Sequence, residues 1–131
     1  MRAATGFGLD RIRQIGVNAK DLERAVRFYR DVLGMRFLFE APPQMAFFDC
    51  GGVRLLVGVT DNPEIDHAAS VIYYLVPDIQ AAHQVLKERG VGFITDPHLV
   101  ARMPDHELWL ADFRDSEGNI LALMSEVRAA S

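Results

Sequence analysis

The chain of 131 residues repeats itself, and that repeat limits its fold more than any other feature. Asp49-Cys50-Gly51-Gly52-Val53-Arg54-Leu55-Leu56-Val57 and Asp115-Ser116-Glu117-Gly118-Asn119-Ile120-Leu121-Ala122-Leu123 both read as a polar turn feeding a short apolar strand. Gly tolerates the positive φ such turns need, and short polar side chains bond the turn backbone. Aligning Gly52 with Gly118 sets an offset of 66 (118 − 52) and puts Asp49 on Asp115. Further upstream, Asp21 and Asp78 each stand before an apolar pattern of helical period, offset by 57 (78 − 21). A unit of roughly 55 residues is too long for most solenoids, so the two copies are expected to pair within one domain.

Taken in order, Arg11–Asn18 alternates as a half-buried strand does, though Ile12, Ile15 and Val17 do not all share parity. Asp21 then caps a helix carrying Leu22, Ala25, Val26, Tyr29 and Leu33 and closed by Gly34. Strands are predicted over Met35–Glu40, Met45–Asp49 and Val53–Val59, with a hairpin turn at Gly51-Gly52. Asp61-Asn62-Pro63-Glu64 reads as a linker. Beyond it come a strand at Val71–Val76, a helix from Asp78 to Gly90 and a strand at Val91–Thr95. A loop over Pro97–Asp105 and a strand at Leu108–Phe113 lead to the final turn and strand. The rise in offset from 57 to 66 is assigned to a longer loop around Pro97–His106. The expected class is therefore α+β. Two repeated β-α-β-β-β modules, about 9–60 and 68–128, form a cupped mixed sheet with helices outside, in a single domain over 1–131.

Composition narrows the function classes. A net charge of −4 argues against a general nucleic-acid or anionic-membrane partner. Cys50 is the only cysteine, so an intrachain disulfide is impossible and a reducing, cytoplasmic setting is expected. No apolar run approaches the roughly 18 residues of a membrane span, and Met1–Asp10 lacks the apolar core of a signal peptide.

The stretch Asp21-Leu22-Glu23-Arg24-Ala25-Val26-Arg27-Phe28-Tyr29-Arg30-Asp31-Val32-Leu33-Gly34 resembles the first-module helix of the vicinal oxygen chelate superfamily. Glyoxalase I, extradiol dioxygenases, methylmalonyl-CoA epimerase, fosfomycin-resistance enzymes and bleomycin-resistance proteins belong to it. Asp115–Leu123 resembles its late turn-and-strand signature, and the resemblance runs from about Arg11 to Glu126. It implies paired modules and a homodimer. It also implies where a divalent metal would sit: at Gln14 and its repeat partner Val71 (or, with a one-residue slip, Ile72), and at Leu56 and Ala122. A divalent ion needs oxygen or nitrogen donors, and of these only Gln14 offers one. The chain resembles a branch poor in metal ligands.

Other residues have plainer roles open to them. None of His67, His83, His98 and His106 pairs at the spacing of a local ligand cluster. His106, beside Glu107, is a candidate acid or base if the second-module loop folds over the cup. Tyr73 and Tyr74 must point to opposite faces, so at most one of them lines the cup. Trp109 and Phe113 share parity and form either core or an aromatic wall. Cys50 has no activating base nearby in sequence, and Arg2, Arg11 and Arg13 read as a solvated basic cluster.

The expectation is a glyoxalase/bleomycin resistance-like protein. It would bind a small organic molecule through Gln14, Leu56, Tyr73, Trp109 and Ala122 without metal or other cofactor. The alternatives are a divergent metal-dependent lyase, isomerase or dioxygenase, with Gln14, His106 and Glu107 as ligands, and a metal-free enzyme using a loop histidine.

Overall fold

The computed structural model describes residues 7–68 and 70–128; Arg2 lies outside them. Within this span the two copies form two four-stranded mixed sheets of matching order. In the first, β1 (Gln14–Asn18) runs parallel to β4 (Val53–Gly58), followed by β3 (Met45–Cys50) and β2 (Arg36–Ala41), both antiparallel to their neighbours. In the second, β5 (Ile72–Leu75) runs parallel to β8 (Ile120–Val127), followed by β7 (Glu107–Arg114) and β6 (His98–Arg102). One helix follows the first strand of each module, as the repeat requires. Among the described residues no helix is long and apolar enough to cross a membrane.

The helix ends follow their cap chemistry. Asp21 accepts from Arg24 N at 3.1 Å to open α1 (Leu22–Arg27), and Asp78 accepts from Ala81 N at 3.1 Å to open α2 (Ile79–Glu88). The first helix continues as a π-helical turn over Phe28–Val32, with Leu33 N bonded to Phe28 O at 3.0 Å. Gly34 and Gly90, at φ 70° and 90°, then let the chain leave each helix.

Strand alternation divides each sheet into a helix-covered face and an open face. Ile15 lies opposite Leu55 and Val17 opposite Val57, and these side chains pack with Tyr29, Ala25 and Phe48 under α1. Gln14, Gly16 and Asn18 consequently share the open face with Arg54, Leu56 and Gly58. Because β1 begins at Gln14, the out-of-parity Ile12 lies outside the strand and is exposed. The hydrophobic core draws on both modules, with Phe113, Leu121 and Leu123 joining Tyr29 and Val57 in one cluster.

Two predicted segments differ. The strand at Val91–Thr95 is reduced to one bridge, Phe93 to Phe113, because Ile94 N and Thr95 N both bond to Asp112 O, at 2.7 and 3.2 Å. After Pro97 the edge resumes as β6, so much of the predicted loop is strand. The extra residues of the second copy go into this longer hairpin, whose turn is closed by Met103 N on His106 O at 2.8 Å. No lid over the cup results from them.

The late turn joins the modules. Asp115 takes four hydrogen bonds, from Tyr29 Oη (2.6 Å) and from Glu117 N, Asn119 N and Asn119 Nδ2 (each 2.8 Å). Glu117 accepts from Lys20 N and Asp21 N at 2.7 and 2.8 Å, and from Arg24 Nε at 2.7 Å, at the start of α1. Burial acts to raise the Glu117 pKa, but the bonds from Arg24, Asp21 N, Ser116 and Lys20 N outweigh it and hold the carboxyl at about 2. A depressed folded-state pKa contributes stability that is complete above the ordinary glutamate pKa of about 4.3 and is lost as pH falls toward 2. Glu117→Gln should therefore lower stability at pH 7 by about 2–3 kcal/mol. It should also flatten the decline between pH 4.5 and 2, as read by urea unfolding at a series of pH values. An unchanged pH profile would show that Glu117 does not carry this linkage.

Candidate functional site

A cavity of about 1030 Å³ lies on the open face of the first sheet. Gly16, Leu56, Gly58 and Met45 form its floor, and Tyr73 enters from β5 of the second sheet, with Val71 from the segment just before it. The linker supplies the remaining wall. Thr60 Oγ1 and Asn62 Oδ1 accept from Asn62 N and Glu64 N at 3.1 and 3.0 Å, folding the segment into a turn. The Asn18 amide then donates to the carbonyls of Ile65 and His67, which fixes this turn against the end of β1. Ile65 and His67 thus become walls of the cleft. Its surface is largely apolar, with Asn18, Asp61, His67 and Ser70 as polar points around it.

Of the residues singled out in the sequence, Leu56 and Tyr73 meet in this cleft. Tyr73 faces it, and Tyr74 turns to the covered side beside the core, its hydroxyl buried without a partner and its pKa pushed well up, chiefly by burial. Ala122 lies opposite Tyr73 on β8, on the same face of its sheet but fully buried, and does not line the cleft. Gln14 stands two residues from Gly16 on the open face, outside the cleft.

Trp109 differs from the aromatic-wall expectation. It shares the face of Ala111 and Phe113, packs against the core and donates Nε1 to Glu107 at 3.2 Å. His106 and Glu107 also lie elsewhere, in a separate cavity of about 480 Å³ at the tip of the β6–β7 hairpin. There His106 Nδ1 meets Asp105 at 2.7 Å, and Asp105 is held at a pKa of about 2 by Arg128 and His106. His98 is exposed, with Nδ1 at 2.8 Å from Asp96 O. The Cys50 thiol is pushed up by burial and by Asp49, the opposite of activation. Arg13 donates to Gly52 O at 2.9 Å, and Arg11 is exposed.

A second arrangement occupies the same open face beside the cleft. Gln14 Oε1 accepts from Arg54 Nε at 2.7 Å. The Arg54 guanidinium lies 5.7 Å from the Phe47 ring centroid, and Phe47 stacks on Phe39 with centroids 4.7 Å apart and planes at 27°. A β-bulge between Phe37 and Phe39 brings Phe39 to this side, leaving Phe37 in the core against Phe48.

A family model described as Glyoxalase/Bleomycin resistance protein/Dioxygenase superfamily matches residues 11–123. The chain belongs to that superfamily. Solved structures agree on the fold. The chain is similar to an antibiotic binding protein, TnmS3, from Streptomyces sp. CB03234, at 22% identity and a TM-score of 0.71 over 92% of this chain and 98% of that one. It is similar to lactoylglutathione lyase from Agrobacterium tumefaciens at 24% identity and a TM-score of 0.69, covering 89% and 94%. A superfamily member from Sphaerobacter thermophilus is 24% identical with a TM-score of 0.74, covering 90% and 98%.

The residues at the positions expected to hold a metal do not fit one. Leu56, Val71 and Ala122 end in carbon, and Gln14, the remaining donor, is engaged by Arg54. Tyr73 opposite Ala122 corresponds to Gly16 opposite Leu56, which makes Val71, not Ile72, the repeat partner of Gln14. Among the described residues no group of three His, Cys, Asp or Glu is placed to hold an ion. The sequence reading does not single out Gly16, Asn18 and Met45, which frame the cleft with His67; the missing side chain at Gly16, in the middle of a strand, is the available signal.

A metal held at a hundred times its dissociation constant would stabilise the fold by about 2.7 kcal/mol, on the order of 10 °C in melting temperature. Chelator-treated protein should show no such rise with Zn²⁺, Ni²⁺, Mn²⁺ or Fe²⁺. A shift of that size, or one metal per chain by elemental analysis of purified protein, would contradict the donor argument.

Proposed function

We propose that this glyoxalase/bleomycin resistance-like chain binds a small, largely apolar organic molecule in the cleft between Leu56 and Tyr73, without a metal, and holds it rather than transforming it. The observation that carries this reading is the cleft itself. Its volume of about 1030 Å³ suits a drug-sized molecule, and its floor is apolar where a metal would need donors. A sequestering role fits the placement of the candidate acid and base, His106 and Glu107, in a different cavity, and of His67 with Nδ1 at 2.9 Å from Ala68 O rather than on Asp61. The likeness to an antibiotic binding protein supports the same direction.

Ligand residues under this proposal are Leu56 and Tyr73, joined by Gly16, Asn18 and Met45, with Gln14 on the adjoining surface. A homodimer is part of the proposal. Tyr73, Leu75 and Ile120 are exposed apolar side chains on the second sheet and would suit a partner copy. Sedimentation equilibrium should give twice the chain mass, and a monomer at micromolar concentration would refute the dimer.

Gly16 offers a clean test of the cleft. A Cβ built there meets nothing within 4 Å, and the backbone is not in the left-handed region. Gly16→Leu should fold with unchanged or higher melting temperature, because Gly is weak inside a strand. The new side chain should fill the floor and lower affinity at least roughly tenfold for any compound found by screening the wild-type protein. Undiminished binding by a folded Gly16→Leu protein would place the site elsewhere.

A further inference from the structure

We propose that Arg54 is the cation of this site, and that the bound molecule carries an anionic group next to a planar unsaturated ring. This rests on the binding reading above and extends it to the chemistry of the ligand. Arg54 is a half-buried residue whose Nε donates to Gln14 Oε1 at 2.7 Å, which fixes the guanidinium on one side and leaves both Nη groups for another partner. No hydrogen bond or ion pair among the described residues uses those Nη groups. Asp49, opposite Arg54 on β3, turns its carboxylate to Gly52 N at 3.2 Å instead. A guanidinium fixed through Nε presents a planar pair of donors matching a carboxylate, sulfonate or phosphate.

The rings beside it define the rest of the ligand. Guanidinium, Phe47 and Phe39 form a row across β4, β3 and β2, and Phe39 is 48% exposed. Two stacked phenylalanines on an open face are unfavourable in water unless something covers them. A planar ring can extend such a stack, whereas a saturated one packs less well. Leu56 lies opposite Phe47, so the row runs into the floor of the cleft and one ligand can span both.

The fold does not demand this row. In the second module the positions matching Gln14 and Arg54 are Val71 and Ile120, which offer neither donor nor charge. Phe39 reaches the open face only through the bulge in β2.

The probes are 2-naphthoate and its neutral counterpart 2-naphthamide, titrated at low salt by calorimetry with amide chemical-shift mapping. The wild-type protein should bind naphthoate about tenfold more tightly, with the largest shifts at Arg54, Phe47 and Leu56. Arg54→Gln should erase that preference while leaving naphthamide affinity within about twofold. Phe39→Ser should weaken both probes. Equal affinities in the wild-type protein, or a preference that survives Arg54→Gln, would overturn the assignment while leaving the cleft reading intact. If neither probe perturbs this face, both readings fall. If Phe39→Ser instead turns a dimer into monomers and leaves naphthoate affinity unchanged, the row is an interface between copies and the proposal is wrong.

Discussion

Two buried carboxylates in one turn set the geometry on which everything else rests. Asp115 and Glu117 belong to the second module, yet their partners include Tyr29 and the opening turn of α1 in the first. Buried carboxylates are tolerable only when their oxygens are filled, and here the donors come from both sides of the module boundary. The buried Tyr29 hydroxyl has the same need, and Asp115 meets it. Shifting one module against the other would therefore strand several polar groups at once. That is a sharper constraint on relative position than apolar contact, which is non-directional. The first module's equivalent turn has no such role: Gly51 stands where Glu117 would, and Asp49 bonds only within its own turn.

With the helix-side faces fixed against each other, the opposite faces remain available. Strand alternation then determines which side chains reach them, and the asymmetry between the copies determines what they can do. On the first sheet Gly16 removes a side chain and opens a cleft, while Gln14 and Arg54 add an oriented cation. On the second, Tyr73 and Ile120 are apolar, and the cation on that face, Arg114 opposite Ile120, is turned to Gly118 O at 3.2 Å instead of being held by a neighbouring amide. The repeat thus supplies the scaffold, and its departures shape the proposed site.

The sequence carried much of this because the decisive signals are local. Asp21, Asp78, Gly34 and Gly90 mark helix ends through capping and positive φ, and the Gly51-Gly52 and Gly118 turns mark hairpins in the same way. What it hid depends on pairing between distant segments. The bulge that turns Phe39 outward is a property of the β2–β3 register, and a period-2 reading of β2 alone places Phe39 with Phe37. The β6 edge was hidden because Pro97 and the shared acceptor Asp112 O interrupt it, so its residues resembled a loop. His106 reaches the cup only if the extra length makes a lid, whereas that length extends a hairpin. The linker was recognised as a turn, but its role as a wall depends on Asn18, far away in the chain.

The central claim is that the open face of the first sheet holds an organic molecule unaided by metal. Methyl NMR of chelator-treated protein, titrated with a compound selected by screening, tests it most directly. The methyls of Leu56, Met45, Ile65 and Val71 should shift together and saturate with one compound per chain, while those of Val85 and Leu86 on α2 stay unmoved. Shifts that appear only after a divalent ion is added, or that centre on the β6–β7 hairpin, would contradict it.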